Sequence, residues 1–205
     1  MMRPTTYKWI VDSVGEKSKR RITRQSAKSK GRKFQQQIAA RISELLDIPW
    51  GKDELIDSRP ASQTGVDVIL IGDAKKRFNY AVECKAHEKW AVHDWIDQSR
   101  TNIVGFGGWL LFITKSRFGS VVLLPEEEFH IITDLLHHFS KTYPPFNTSV
   151  FCQKSWSLPD WIGRARLGVR GTPTNWLLLL QREESTEKFV VLEAEVLFDL
   201  LRGLR

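Results

Sequence analysis

Two carboxylates and a lysine, Asp67, Glu83 and Lys85, are the residues of this chain whose types and spacing most clearly suggest chemistry. Asp67 interrupts an apolar run, residues 66–71, that otherwise has the β-branched composition of a buried strand. Two carboxylates that come together repel each other unless a cation lies between them, and an oxygen-rich site suits a hard divalent cation such as Mg²⁺. The alternative is that Asp67 closes an edge strand and that Glu83 and Lys85 form a solvated ion pair.

Two predicted strands would position these side chains. Residues 72–77 are mostly polar and predict a turn between the run at 66–71 and a second run at 78–85. Pairing of the two runs as an antiparallel hairpin would bring Asp67 opposite Glu83. Period-2 alternation in the second strand places Glu83 and Lys85 on the same face as Ala81. The opposite face then carries Phe78, Tyr80, Val82 and Cys84.

This pattern resembles the PD-(D/E)xK nuclease superfamily, whose core has an aspartate on one strand and Glu-x-Lys on the next. Within the superfamily it is most similar to archaeal-type Holliday junction resolvases and their phage-borne relatives. The resemblance spans roughly residues 31–129, and its elements occur in the expected order: residues 31–36, 58–62, 65–68, 82–85, 97–98 and 109–115. It implies an α/β fold, with a restriction-endonuclease-like core in which helices flank a central mixed β-sheet. The implied activity is metal-dependent hydrolysis of DNA, performed by a homodimer.

The resemblance also assigns roles to individual residues. Asp67 and Glu83, with the backbone carbonyl of Cys84, would hold Mg²⁺, for which Mn²⁺ can substitute, and Lys85 would orient the attacking water. Gln98 matches a glutamine that lies beside the active centre in this family. Related resolvases have a glutamate at the position of Gln35. An amide can offer an oxygen but brings no negative charge, so we expect weaker metal binding or fewer bound metals.

Positive charge is concentrated near the N-terminus. The net charge is +7, and residues 16–33 contain nine basic residues and one acid, whereas the rest of the chain has 22 basic residues and 23 acids. Few large apolar residues accompany this charge, which predicts a flexible arm over residues 1–30 that either contacts DNA phosphates or only solubilises the chain. The basic residues expected to contact DNA are Arg20, Arg21, Arg24, Lys28, Lys30, Arg32 and Lys33.

A loop before the first strand supplies two further candidates for DNA contact, Arg59 and Ser62. The guanidinium of Arg59 can hold two phosphate oxygens at once. Alternatively, the Arg-Pro-Ala-Ser sequence only stabilises a turn. The resolvases place basic and hydroxyl residues in this loop, and that resemblance favours DNA contact.

The chain divides into the arm, a nuclease domain at residues 31–141 and a C-terminal extension at residues 142–205 with the order β-α-β-β-α. Segments of the extension match earlier ones in order: 150–153 matches 82–85, 160–162 matches 94–96, 176–178 matches 109–111, and 190–192 matches 121–123. Either a partial duplication or a recurrent pattern of strands and helices explains this order. In a duplication the catalytic pair has been lost, because Phe151 and Gln153 replace Glu83 and Lys85.

Three functions remain open at this point. The first is a structure-selective endonuclease for branched DNA, the second is a less selective phage nuclease or nickase, and the third is a DNA-binding protein without catalysis. The chain has no run of 18 or more apolar residues and no signal-peptide pattern. We therefore expect no membrane association and a location in the cytoplasm of a bacterial or phage-infected cell.

Overall fold

The computed structural model describes residues 23–60, 63–139 and 145–204. None of the helices in these ranges is long and apolar enough to cross a membrane. In chain order the helices and strands are α1 (Arg24–Leu46), β1 (Ile56–Ser58), β2 (Val68–Leu70), α2 (Gly72–Arg77), β3 (Tyr80–Ala86), α3 (Val92–Thr101), β4 (Gly108–Lys115), β5 (Gly119–Pro125), α4 (Glu126–His138), β6 (Phe146–Cys152), α5 (Leu158–Gly168), β7 (Asn175–Gln181), β8 (Lys188–Glu193) and α6 (Ala194–Gly203).

Six strands form one central mixed sheet in the order β3-β4-β5-β8-β7-β6. The outer pairs β3/β4 and β6/β7 are parallel, and the three inner pairs are antiparallel. Helices flank this sheet, so the prediction of an α/β fold built on a central mixed sheet is confirmed. The C-terminal segment has the predicted β-α-β-β-α order, and its strands contribute half of the sheet.

The two faces of the sheet are covered by different helices. Residues of α1, α4 and α6 pack in one core with Val82, Phe112 and Leu192. Residues of α3 and α5 pack in the other core with Trp109, Leu123 and other strand residues that point the opposite way. Strands covered on both faces explain the nearly continuous apolar runs of the inner strands.

Helix α1 begins at Arg24, so residues 24–30 are helical, which corrects the prediction of a flexible arm over that range. Thr23 caps the helix, because its side-chain oxygen accepts a hydrogen bond from the backbone N–H of Ser26 at 3.1 Å. Arginine, glutamine, alanine and lysine, which make up most of residues 24–30, extend a helix readily once the buried stripe of its later turns has stabilised it. The remainder of the predicted arm, residues 1–22, lies outside the described residues.

The predicted hairpin between residues 66–71 and 78–85 is wrong. β2 pairs with β1, where Ser58 lies opposite Val68, and the predicted turn at 72–77 is the short helix α2. Asp73 in the first turn of α2 and basic residues in its last turn suit the helix dipole, and the buried Ala74 anchors it. Even so, the backbone N–H of Asp67 donates to the carbonyl of Val82 at 2.8 Å, which keeps the two segments in contact.

Candidate active site

Asp67 reaches the edge strand β3 through backbone hydrogen bonds rather than through a hairpin. Besides the contact to Val82, its side-chain Oδ2 accepts a hydrogen bond from the backbone N–H of Cys84 at 2.7 Å. On its other side, the backbone carbonyl of Asp67 accepts from the backbone N–H of Arg59 at 2.8 Å. The aspartate is therefore held on both sides, with its carboxylate directed at the middle of β3.

Glu83 and Lys85 project from one face of β3, as the alternation predicted. The ammonium of Lys85 donates to Oε1 of Glu83 at 2.6 Å, and Glu83 is only 2% exposed. Val82 and Cys84 point into the core on the opposite face. Because a charge this deeply buried requires a partner, the Glu83–Lys85 contact differs from an ordinary solvated ion pair.

Helix α3 supplies two amides to this pair. Lys85 donates to Oε1 of Gln98 at 2.7 Å, which brings the predicted Gln98 into the cluster. Asn102, which the sequence analysis missed, donates from Nδ2 to Oε2 of Glu83 at 3.1 Å. Its position four residues after Gln98 would have been a usable signal, because residues at this spacing lie on the same helix face.

Gln35 brings helix α1 into the same cluster. Its Nε2 donates to Oδ1 of Asp67 at 2.5 Å, as expected for a residue at the site. Its Oε1 is buried and has no hydrogen-bond partner among the described residues. Such an atom is unusual, since buried polar groups are normally paired with protein or with bound water or ions.

Burial and the nearby Glu83 favour the protonated form of Asp67. Burial, followed by the negative charge of Glu83, raises the pKa of the Asp67 carboxyl to about 7, and the hydrogen bond from Cys84 and the charge of Lys85 oppose this change only in part. Burial also raises the pKa of the Cys84 thiol well above its ordinary value. Because that thiol lies in the core, Cys84 can serve the site only through its backbone.

These residues lie in an open cleft of about 680 Å³. The cleft is bounded by the first turns of α1, residues 63–67, the end of β3 and the second half of α3. A smaller pocket of about 290 Å³ lies on the other side of α3, where an ion pair of 2.6 Å joins Arg100 to Glu187. The larger cleft is the one that contains the converging carboxylates, and it has room for a phosphate group.

The donor set of the cleft fits a hard divalent cation. Each carboxylate oxygen of Asp67 and Glu83 accepts one protein hydrogen bond, which leaves a lone pair available on each. The unpaired Oε1 of Gln35 is one more neutral oxygen. The described residues contain no group of three or more His, Cys, Asp or Glu side chains arranged for a metal. We conclude that Mg²⁺ fits this site, with fewer charged ligands than the resemblance implies.

The predicted DNA-contacting residues have different surroundings. Lys28 and Arg32 line the cleft, and Lys33 is exposed on α1. Arg32 donates to the carbonyls of Ser58 and Arg59 at 2.8 and 2.5 Å. Lys30 pairs with Glu88 at 2.6 Å. Arg24 is the first residue of α1, whereas Arg20, Arg21 and Ser62 lie outside the described residues.

The guanidinium of Arg59 donates from Nε to the carbonyl of Val66 at 2.6 Å. Together with its backbone contact to Asp67, this bond braces the loop that leads into β2. These contacts are the ones expected if Arg59 stabilises the turn. A contact with DNA through this residue stays a prediction.

The chain was compared with protein-family models, with curated proteins and with solved structures. None of the three comparisons found a match to this chain. The resemblance to nucleases therefore rests on the sequence motifs.

Proposed function

We propose that this protein is a metal-dependent endonuclease that hydrolyses DNA phosphodiester bonds, with a restriction-endonuclease-like core and a preference for branched DNA of the Holliday junction type. One observation carries the proposal. Asp67, which precedes β2, meets Glu83 and Lys85 of β3 at the edge of the central sheet, in a cleft open to a phosphate. The preference for branched DNA rests on the resemblance to the resolvases.

Two carboxylates, with the Cys84 carbonyl, would hold Mg²⁺ or Mn²⁺ in this cleft. The cation would supply charge neutralisation at a non-bridging phosphate oxygen, where negative charge builds up in the transition state. The hydrogen bond from Gln35 holds Asp67 in a fixed orientation, and the bond from Asn102 does the same for Glu83. Such pre-organised ligands need little rearrangement when the substrate binds.

Lys85 is the residue placed to act on water. Gln98 and Glu83 hold its ammonium from two sides, at 2.7 and 2.6 Å. An ammonium in this position favours the hydroxide form of a nearby water electrostatically and orients it for attack on phosphorus. The water gives its proton to solvent, and its oxygen bonds to phosphorus as the bond from phosphorus to the leaving oxygen breaks. The leaving oxygen takes up a proton from solvent, so no covalent enzyme intermediate forms.

A DNA-binding protein without catalysis is the second candidate. It is favoured by Gln35 at the position of an acid and by the limited number of charged ligands among the described residues. In this case the cleft would hold a DNA phosphate without cleaving it. The basic residues at the start of α1 would serve either function.

One experiment distinguishes these functions. The purified protein is incubated with a labelled four-way junction and with a linear duplex of matched sequence, each with Mg²⁺ or with EDTA. We expect Mg²⁺-dependent cleavage of the junction well above that of the duplex. Equal cleavage of both substrates would indicate a less selective nuclease, and binding without cleavage would indicate the second candidate. If the protein neither binds nor cleaves either DNA, both candidate functions are refuted.

A further inference from the structure

Next to the cleft, one carboxylate oxygen joins three separate parts of the chain. Oε1 of Glu88, in the loop after β3, accepts hydrogen bonds from Nζ of Lys30 on α1 at 2.6 Å and from Oγ of Ser116 at 2.6 Å. It also accepts the backbone N–H of Ser116 at 3.2 Å. Lys30 in turn donates to Oγ of Ser116 at 3.1 Å. Ser116 lies in the turn between β4 and β5.

The groups around this oxygen form a site for a phosphate. An ammonium, a hydroxyl and a backbone N–H are the donors that proteins commonly direct at the phosphates of nucleic acids. We refer to Lys30 and Ser116 together as the anion site. The segments that carry Glu88 and Ser116 also contain Lys89, Lys115 and Arg117, and Glu88 is the only acid in residues 84–92 and 114–119.

Glu88 is an easily displaced occupant of the anion site. The side chains of Lys30 and Glu88 are 32% and 44% exposed, so water and ligands reach the pair. An ion pair this exposed contributes little to stability, because water solvates both charges well when they separate. Glu88 also lies in the short connection between β3 and α3, where the side chain can turn outward while the strand and the helix stay in place.

The anion site is close to Asp67, Glu83 and Lys85. Glu88 follows Lys85 by three residues, a distance of about 10 Å along an extended chain. Lys28, which belongs to the same helix as Lys30, lines the cleft itself. A DNA strand with one phosphate in the cleft would therefore bring a neighbouring phosphate near Lys30 and Ser116.

We propose that Lys30 and Ser116 form a second phosphate-binding site, which Glu88 occupies in the free protein and from which a DNA backbone phosphate displaces it. This inference rests on the proposed function, because its ligand is DNA. It assigns roles to Ser116 and Glu88 that their sequence context does not suggest. It also makes Glu88 an internal competitor of DNA, so removal of its charge strengthens DNA binding through one specific site.

A double-mutant cycle tests this competition. Binding of a fluorescein-labelled duplex is measured by anisotropy in EDTA at fixed KCl for the wild type, Glu88→Gln, Lys30→Ala/Ser116→Ala and the combined triple variant. We expect Glu88→Gln to bind DNA several-fold more tightly and Lys30→Ala/Ser116→Ala to bind roughly tenfold more weakly. In the Lys30→Ala/Ser116→Ala background, Glu88→Gln should lose most of its effect, because the site for which it competes is gone.

The matched control is Glu184→Gln in the turn between β7 and β8, which removes the same charge from a side chain that is 85% exposed. We expect this control to bind DNA like the wild type. Equal effects of Glu88→Gln in both backgrounds would show a general charge effect and would overturn the anion site while leaving the proposed function intact. Absence of DNA binding by the wild type would instead refute the proposed function and, with it, this inference. Glu88→Ala, which also removes the side-chain hydrogen bonds, replaces Glu88→Gln if that variant does not fold.

Discussion

The two halves of the central sheet have the same architecture and different chemistry. Reading inward from either edge, a parallel pair of strands is followed by an antiparallel hairpin, and the hairpins meet at β5 and β8. At this junction Val121 pairs with Glu193 and Leu124 pairs with Val190. The order and directions of the strands are therefore related by an approximate two-fold axis between β5 and β8.

Scaffold residues are retained across this axis. Trp109 and Trp176 occupy equivalent strands and are 4% and 3% exposed. Trp95 and Trp161 occupy equivalent helices and are 8% and 5% exposed. Both halves therefore bury tryptophan at equivalent positions against the sheet.

The polar cluster, in contrast, is present in one half only. Phe151 and Gln153 stand at the positions of Glu83 and Lys85, and Arg164 and Gly168 at those of Gln98 and Asn102. In place of an ion pair, Phe151 stacks on Trp161 with ring centroids 4.2 Å apart and an interplanar angle of 8°. The second half thus replaces a charged cluster with aromatic packing.

The N-terminal elements explain this difference. Helix α1 and strand β2 cover the edge strand β3 and bring in Gln35 and Asp67. Val82 on β3 is fully buried, whereas its counterpart Val150 on β6 is 67% exposed. Within the described residues, no second copy of α1 covers β6. Both halves therefore share a scaffold, and within the described residues the polar cluster forms only where α1 and β2 cover the edge strand.

The largest expected effect tests whether catalysis is confined to the first half. Asp67→Asn and Lys85→Ala should each reduce Mg²⁺-dependent cleavage at least about a thousandfold, because they remove groups that act on the transition state. DNA binding measured in EDTA should change only a few-fold. Gln153→Ala, at the position equivalent to Lys85, is the matched control and should cleave like the wild type. Full activity in Asp67→Asn would refute the assignment of the site.

A pH series tests the electrostatic cost of the cluster. Burial and the charge of Glu83 raise the pKa of Asp67 from its ordinary value of 3.8 to about 7 in the fold, so the folded protein holds a proton that the unfolded chain releases between these values. The favourable contribution of this proton to the free energy of unfolding is complete below about pH 4 and is lost as the pH rises through about 7. Urea unfolding in EDTA should therefore show the stability of the wild type falling relative to Asp67→Asn between pH 4 and pH 8. Parallel curves for the two proteins would contradict the raised pKa.

Removal of the aromatic stack tests whether the second half of the sheet serves stability and not the reaction. Phe151→Ala should lower the free energy of unfolding by about 2 kcal/mol, since it deletes a partly buried ring and its stacking contact. Denaturant unfolding measures this change. Cleavage at a temperature where the variant is folded should match that of the wild type. A tenfold loss of cleavage would show that the second half takes part in the reaction.

A smaller gain is expected from restoring the missing acid. Gln35→Glu places a third carboxylate beside Asp67, which should raise the affinity for Mg²⁺ about tenfold. The readout is calorimetric titration with MgCl₂, together with the rise in melting temperature on adding the metal. Gln37→Glu, on the exposed side of the same helix, is the matched control and should leave the affinity unchanged. Equal behaviour of the two variants would argue against Gln35 as a neighbour of the metal.

Much of the fold and part of the site could be predicted from local patterns. The shared face of Glu83 and Lys85 follows from strand alternation, whereas Gln98 was predicted only through the resemblance to the resolvases. The matched order of segments in the C-terminal third predicted elements that the structure contains. The partner of β2 could not be predicted, because six residues between two strands are compatible with either a turn or a short helix. Asn102 was missed because a single amide near a helix end resembles an ordinary capping residue.

By itself, the sequence determined which side chains share a face, where positive charge is concentrated and which segments are apolar enough to be buried. These properties depend on backbone geometry and composition within a few residues. Only the tertiary structure decided that Gln35 bonds Asp67, that burial raises the pKa of Asp67, and that Glu88 pairs with Lys30 and Ser116. The physical reason is that contacts between distant segments depend on how the whole chain buries its apolar surface, which no local pattern specifies.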